Sequence, residues 1–433
     1  MIFNPDIETL SIPKLRRLQS ERLQKLVKYV YDRVPFYKRQ LDERGITPSS
    51  IKSINDISRL PFTTKEDLRN NYPFNMFAVP REQLARIHAS SGTTGKPTVV
   101  GYTKADLQLF GQVNARSLAA AGAQPGMMLH NAYGYGLFTG GLGLHAGAET
   151  LGMSVIPVSG GMTDRQLMIL QDFQPDVICC TPSYAQRLTE EIHDRKIPLD
   201  SLRLKYAVLG AEPWTEAIRE DVQNGLNIKA SNIYGLSEIM GPGVSQEAVE
   251  ERGTGSHVWE DHFFPEVVDP DSGEPLAEGK DGVLVFTTLT KEAFPVIRYW
   301  TNDICSLHYD SGSQRTHIKM SAIKGRADDM LIIRGVNLFH TQVEELIQQI
   351  PELAPHYQLI VSREGAMDTL DVKVELDANL EGSNQLMSQL GPHLQKKMKD
   401  NIGVTAKVEV VTHGSIPRSE GGKLSRIIDR RKL

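Results

Sequence analysis

The sequence runs to 433 residues with a net charge of −5, 40% of them apolar and 23% charged. That length exceeds what one hydrophobic core supports, so two or more domains are expected, and the composition excludes a disordered chain. No apolar run is long enough to span a bilayer, and the acidic balance gives no reason to expect nucleic acid as a partner. Three cysteines, two of them the adjacent Cys179 and Cys180, can build neither a disulfide framework nor a zinc ribbon. The opening MIFNPDIETL carries Asp6 and Glu8 in place of a basic then apolar leader, so a reducing, cytoplasmic setting is expected.

From Ile12 to Arg44, Leu15, Leu18, Leu23, Leu26 and Val30 recur at helical spacing up to a break at Pro35, which predicts two amphipathic helices forming a packing subdomain. PFTTKEDLR, at 61–69, reads as a turn with Thr63 or Thr64 capping a helix. Lys65 then sits where a cation opposes the helix dipole, an odd place for a purely structural residue. Next comes SSGTTGKPT, Ser90 to Thr98, between strands predicted at 84–89 and 98–102. Gly92 and Gly95 let backbone N–H groups turn toward one point, Ser90, Ser91, Thr93 and Thr94 add hydroxyls, and Lys96 adds a charge, which together would cradle a polyphosphate. A polar, flexible hairpin loop is the other reading. A Walker A loop is excluded, because only two residues separate the glycines and Pro97 follows the lysine. After a helix predicted over 104–121, MMLHNAYGYGLFTGGLGLHAGAETLG has no clean period. Its glycines either admit a flat ligand between Tyr133, Tyr135 and Phe138, or, at Gly141, Gly143 and Gly147, permit tight helix packing.

From Ser154 to Leu209 apolar strands alternate with helices, the pattern of a mostly parallel sheet covered on both faces. Ligands in such sheets sit beyond the carboxyl ends of the strands, so Gly210-Ala211-Glu212-Pro213 and Tyr234-Gly235-Leu236-Ser237-Glu238 are candidate site loops. YGLSE is not a hydrolase nucleophile elbow, because Ile239 stands where the closing glycine is needed. Antiparallel hairpins are expected from Gly255 to Thr290, followed by VIRYWTNDICSL. GRADDM then interrupts the apolar pattern, which places a boundary at Asp328 between domains 1–327 and 328–433. The second should be a small α+β unit with strands at 358–362, 370–376 and 406–411 and a long helix at 383–401. Its basic end, RIIDRRKL, reads as a solvated face, and Lys423 on the polar tail could be one more surface lysine.

The order SSGTTGKPT, YGLSE, RYWTNDI, GRADDMLIIRGVN and a lysine near the C-terminus resembles the adenylate-forming superfamily. More narrowly, PFTTKEDLR, AYGYGLFTGGLG, GAEPWTE and HVWEDHF, in this order, resemble the phenylacetate-CoA ligase family over almost the whole chain. The resemblance implies an α/β fold: a large N-terminal adenylate-forming domain with mixed, mostly parallel sheets, and a small, mobile C-terminal α+β domain. It implies an ATP-dependent aryl acid-CoA ligase that uses Mg²⁺ and coenzyme A and takes small molecules as partners, with a homodimer allowed. By the same resemblance, Ser90, Ser91, Gly92, Thr93, Thr94, Gly95 and Lys96 hold the β- and γ-phosphates of ATP. Gly210, Ala211, Glu212, Tyr234, Gly235 and Ser237 surround the adenine side, and Asp303 takes the ribose hydroxyls. Glu238 holds Mg²⁺; Lys423, Glu238, Arg326 and Lys65 form the catalytic set; Tyr135, Gly136 and Phe138 line the acyl pocket; Asp328, Arg334 and Gly335 form the hinge and the coenzyme A channel. Trp300 and Asn302 depart from the family's RYRTRD, and Leu338-Phe339-His340 from its VFP. His257 and His317 are read as packing or surface residues. Two rivals stay open: an enzyme that loads an aryl acid onto a carrier protein, and a non-catalytic nucleotide-binding relative.

Overall fold

The computed structural model describes residues 1–90, 97–327, 331–333, 336–364, 367–380, 384–418 and 426–432, and the elements below are those of these residues. The chain opens with the expected helix pair, Ile12–Arg33 and Pro35–Asp42, with Pro35 at the first helical position, where its missing N–H costs nothing. Leu15, Leu23, Leu26 and Val30 are buried, whereas Leu18 is only half-buried and Gln19 takes an inner position. Gln19 is tolerated there because its Nε2 donates to the carbonyl oxygen of Glu260 at 3.0 Å. Of the two capping candidates, Thr64 caps helix Lys65–Asn70, accepting from the Asp67 N–H. Thr63 is buried and donates to Ile297 O at 2.6 Å.

A nine-stranded sheet forms the centre of the large region, in the order Leu307–His308, Lys319–Met320, Ser256–Val258, Gly241–Gln246, Lys229–Leu236, Tyr206–Gly210, Val177–Cys180, Met128–Asn131 and Ser154–Ile156. The strands from Lys229–Leu236 to Ser154–Ile156 run parallel, joined by the helices Gly140–Leu151, Thr163–Asp172, Pro182–Asp194 and Glu216–Leu226. The other pairings are antiparallel. A four-stranded antiparallel sheet, Phe263–Val268, Gly282–Thr288, Tyr299–Cys305 and Gly325–Arg326, lies beside it. The glycine-rich segment resolves into a loop and the helix Gly140–Leu151, packed on helix Lys104–Ala120. A Cβ on Gly143 would stand 2.4 Å from the Phe110 ring, and one on Gly147 2.4 Å from Asn114 Cβ, so these two glycines serve helix packing.

A separate core, from Leu331 through Leu359, Val372 and Leu394 to Val410, belongs to the small unit. Its sheet runs Lys407–Val411, Met367–Leu376, Leu353–Glu364, Ile427–Asp429, with helices His340–Gln348 and Asn384–Ile402. The last strand corrects the reading of RIIDRRKL as a solvated face. Ile427–Asp429 pairs parallel with 359–361, and Arg431 is spent on ion pairs to Asp368 at 2.7 Å and Asp429 at 2.8 Å.

One buried ion pair ties the early chain to the second sheet. Arg298 makes a two-pronged bond to Glu266 at 3.0 Å on each arm, donates to Ser58 O and Leu60 O, and stacks 4.0 Å over the Phe62 ring. Arg298→Ala would strand a buried carboxylate, so it is expected to cost about 3–5 kcal/mol, measurable by chemical denaturation.

Candidate active site

The candidate site begins where the parallel strands end. Strand Lys229–Leu236 runs into a tight turn holding Ser237 and Glu238 before the chain returns as Gly241–Gln246. Gly235 is required at this corner, because a Cβ there would lie 1.8 Å from Gly241 O. The turn is held from behind by two side chains. Tyr102 donates to Met240 O at 2.8 Å, and the buried ammonium of Lys291 donates to Ile239 O at 2.9 Å. Burial draws the Lys291 amine down to about 8, against the opposing pull of Asp106 and Glu238. Glu238 is 7% exposed and lies near Tyr299, whose hydroxyl is held well above its ordinary value by burial and then by the Glu238 charge. Ser237 Oγ lies 3.1 Å from Thr139 Oγ1.

Strand Tyr299–Cys305 brings Asp303 to the same place. Tyr234 donates to Asp303 Oδ2 at 2.6 Å, and its ring stacks against Phe286 with centroids 6.2 Å apart. The antiparallel register sets Arg326 opposite Asp303, with Arg326 Nε 3.8 Å from Asp303 Oδ1. Four residues predicted from three separate stretches, Tyr234, Glu238, Asp303 and Arg326, therefore converge. The two departures from the family pattern meet each other: Trp300 Nε1 donates to Asn302 Oδ1 at 2.8 Å, and Asn302 has φ 67°, a conformation that asparagine tolerates. His340 lies in the small unit, with Nδ1 3.0 Å from Tyr357 OH.

Gly210, Ala211 and Glu212 follow strand Tyr206–Gly210, with Ala211 at φ 70°. Glu212 accepts the Ser183 N–H at the start of helix Pro182–Asp194, at 3.2 Å, so its carboxylate is bound to that helix start. On the acyl side, Tyr135 OH accepts from Asn131 Nδ2 at 2.8 Å and sits 3.2 Å from His145 Nδ1; burial pushes the phenol up to about 12. Gly136 has φ 136°, and Phe138 is 52% exposed. Leu137 O accepts from Ala89 N at 2.9 Å and lies 3.0 Å from His88 Nδ1, so the aromatic loop is fixed to the strand Arg86–Ser90 that enters the phosphate loop. Lys65 stands at the first helical position, two residues after Thr63, which bridges to Tyr299. Ser90 ends its strand; Ser91, Gly92, Thr93, Thr94, Gly95, Lys96, Asp328, Arg334, Gly335 and Lys423 lie outside the described residues.

Sequence reasoning assigned no role to Tyr299 or Lys291. A lysine set between the apolar runs GVLVF and AFPVI was the available signal, since a lysine is rarely buried without a task. His257 and His317 are buried. His257 Nε2 is bonded to Glu251 at 3.0 Å, and His317 Nδ1 lies 3.0 Å from Val258 O. No group of metal-ligating side chains with three or more members occurs among the described residues.

Residues 5–289 match the AMP-binding enzyme family and residues 335–431 the AMP-binding enzyme C-terminal domain. The phenylacetate-coenzyme A ligase of Thermus thermophilus is 62% identical over the full length of both chains. Among solved structures, a 2-hydroxyisobutyryl-CoA ligase in the postadenylation state, bound to an acyl-AMP, superposes with TM-score 0.92 at 28% identity, covering 100% of this chain and 93% of that one. The same ligase with acyl-AMP and CoA in the thioesterification state gives 0.73, covering 99% and 92%.

Proposed function

We propose a two-step ligation for this chain, which belongs to the AMP-binding enzyme family and, within it, to the phenylacetate-coenzyme A ligases. It is an aryl acid-CoA ligase using ATP, Mg²⁺ and coenzyme A, and phenylacetate is the acid we assign to it. A carboxylate cannot be displaced by a thiol directly, because its leaving group would be oxide. Attack of a carboxylate oxygen on the α-phosphorus of ATP expels pyrophosphate and leaves an acyl-adenylate. The coenzyme A thiol then adds to the acyl carbon, AMP departs, and the thiol proton goes to solvent.

The observation that carries this reading is the convergence of Tyr234, Glu238, Asp303 and Arg326 at one strand end. Asp303 would accept two ribose hydroxyls, with Tyr234 orienting it and Arg326 beside it toward the phosphates. Mg²⁺ binds one or two carboxylates together with phosphate oxygens, so the single buried Glu238 fits it, and the ion would neutralise charge on the departing pyrophosphate. The loop 90–96 would take the β- and γ-phosphates, and Gly210, Ala211 and Glu212 the adenine side. Tyr135, Gly136 and Phe138 would take the aryl group, and Lys423 the charge that converges on the α-phosphate. We place the domain boundary and hinge at Asp328, with Lys65 beside the catalytic set and Arg334 and Gly335 along the thiol channel. The higher score against the postadenylation form supports reading the two units as standing in the adenylating arrangement.

We place the enzyme in the cytoplasm. The buried free thiols of Cys179, Cys180 and Cys305 are compatible with a reducing compartment. Among the described residues no helix is long and apolar enough to cross a membrane.

The test is an aryl acid panel scored by AMP and thioester formation. Phenylacetate and related arylacetates are expected to turn over at least about tenfold more efficiently than acetate or a long-chain fatty acid, in the range that apolar pocket contacts discriminate. Higher efficiency with either aliphatic class would overturn the substrate assignment. Transfer to a carrier protein in preference to coenzyme A would favour the loading reading.

A further inference from the structure

Between the two units the described hydrogen bonds are few, and the Phe339 ring packs on Gly325 beside the chain connection. Gln348 of the small unit donates to Thr215 Oγ1 at 2.7 Å. Thr341, close to the chain connection, donates to Lys324 O at 2.5 Å, and the remaining described hydrogen bonds across the seam centre on one carboxylate of the large unit, Glu190, near the end of helix Pro182–Asp194. His356 Nε2 donates to Glu190 Oε1 at 2.5 Å, and Arg418 Nε donates to Glu190 Oε2 at 3.2 Å, so both oxygens are held by small-unit cations or donors. Arg418 is itself fixed. Its two terminal nitrogens fork onto Glu375 at 2.8 Å each, and the fully buried Glu375 also accepts the N–H groups of Gly414 and Ile416. Beside this contact the seam is not closed by apolar packing. A cavity of about 530 Å³ lies there, bordered by Met162, Thr163 and Arg187 on one side and Ile416, Pro417 and Arg418 on the other.

Arg418 is also the last described residue before the stretch that carries Lys423. The chain resumes at Arg426, which is anchored in turn: Nη1 donates to Pro355 O at 3.2 Å, Nη2 lies 3.5 Å from Glu344, and the guanidinium sits 4.6 Å over the Tyr357 ring. The described residues that flank the lysine stretch are therefore two held arginines, and the first of them is the one gripped by the large unit. Charge-assisted bonds of this length are geometrically strict, so they cannot survive a rigid rotation of one unit against the other.

We propose that Glu190 is a positioning residue for the adenylation half-reaction: through Arg418 and His356 it holds the base of the Lys423 segment against the large domain, and it releases both for the thioester step. This rests on the two-step ligase reading. Burial alone would push the Glu190 carboxyl up, but His356 and Arg418 outweigh it and hold the group at about 2, so the carboxylate stays charged across the assay range.

Glu190→Gln keeps the shape and removes the charge. Three readouts decide the matter: pyrophosphate release without coenzyme A, thioester formation from supplied acyl-adenylate, and melting temperature. Adenylation is expected to fall about tenfold, within the span of a coupling between two global states, while the thioester step stays within about twofold of wild type or rises. His356→Asn should reproduce the split more weakly, since it leaves Arg418 in place. Arg418→Glu is not a clean test, because it would set a second carboxylate against the buried Glu375. Equal loss of both half-reactions, wild-type rates in both, or a melting temperature lowered by several degrees in Glu190→Gln would overturn the proposal while leaving the ligase reading intact. A wild-type enzyme that releases no pyrophosphate with any aryl acid would overturn that reading itself, and the positioning role with it.

Discussion

Lys423→Ala is expected to lower pyrophosphate release by about 100- to 1,000-fold at saturating acid and MgATP, while ATP binding changes little. The reason is where the charge is needed. The phosphate loop, with Lys96 and several hydroxyls, would already hold the β- and γ-phosphates, so ground-state affinity does not depend on Lys423. During transfer, negative charge from the carboxylate and from the α-phosphate converges on one point, and a group that stabilises charge only there affects the rate and not the affinity. The expected signature is a large drop in kcat with a small change in KM for ATP. A surface lysine would leave both constants unchanged. The thioester step, started from supplied acyl-adenylate, should be spared, because on the proposed mechanism the small domain has by then turned Lys423 away. A Lys423→Ala enzyme with wild-type adenylation would remove the residue from the catalytic set.

What was legible in the sequence followed locality. The helix pair broken at Pro35, a cap at Thr63 or Thr64, and the strand and helix alternation from Ser154 to Leu209 depend on spacing and on residues a few positions apart. What escaped depends on partners far along the chain. Gln19 interrupts an apolar face because its partner, the carbonyl of Glu260, lies 241 positions away. Strand Ile427–Asp429 was hidden because its neighbours supply the apolar cover and one of its two following arginines, Arg431, is paired with Asp368 and Asp429, while Arg430 stays exposed. The site shows the same division. Tyr234, Glu238 and Asp303 stand in short motifs, whereas the support behind them comes from packing of distant stretches: Lys291 lies outside the motifs and donates to Ile239 O, and Tyr299, though inside RYWTNDI, shows its nearness to Glu238 only in the fold. Trp300 and Asn302 were visible only as departures; their mutual hydrogen bond explains how the pair is accommodated together. Glu190 gave no signal, since a glutamate on an amphipathic helix reads as solvent-facing until the small domain is set beside it.

Glu238→Gln is expected to lower adenylation about 100-fold and to raise the Mg²⁺ concentration needed for half-maximal rate, with ATP binding in the absence of metal little affected. The carboxamide keeps the volume, so the turn behind it, fixed by Tyr102 at Met240 O and Lys291 at Ile239 O, has no reason to move. What is lost is the negative oxygen donor that a hard cation prefers over a neutral amide. The competing account is that Glu238 serves only as the counter-charge for the buried Lys291 ammonium. That account makes a different prediction: the variant would leave Lys291 less compensated, melt at lower temperature, and lose activity that added Mg²⁺ cannot restore. The metal role instead requires that the loss shrink as Mg²⁺, or the more tightly binding Mn²⁺, is raised, with the melting temperature of the free enzyme within a few degrees of wild type. Ser237→Ala supplies the control next door. Its hydroxyl lies 3.1 Å from that of Thr139, at the start of helix Gly140–Leu151, so a general disturbance of the corner would appear there too, whereas a change in the Mg²⁺ requirement would not.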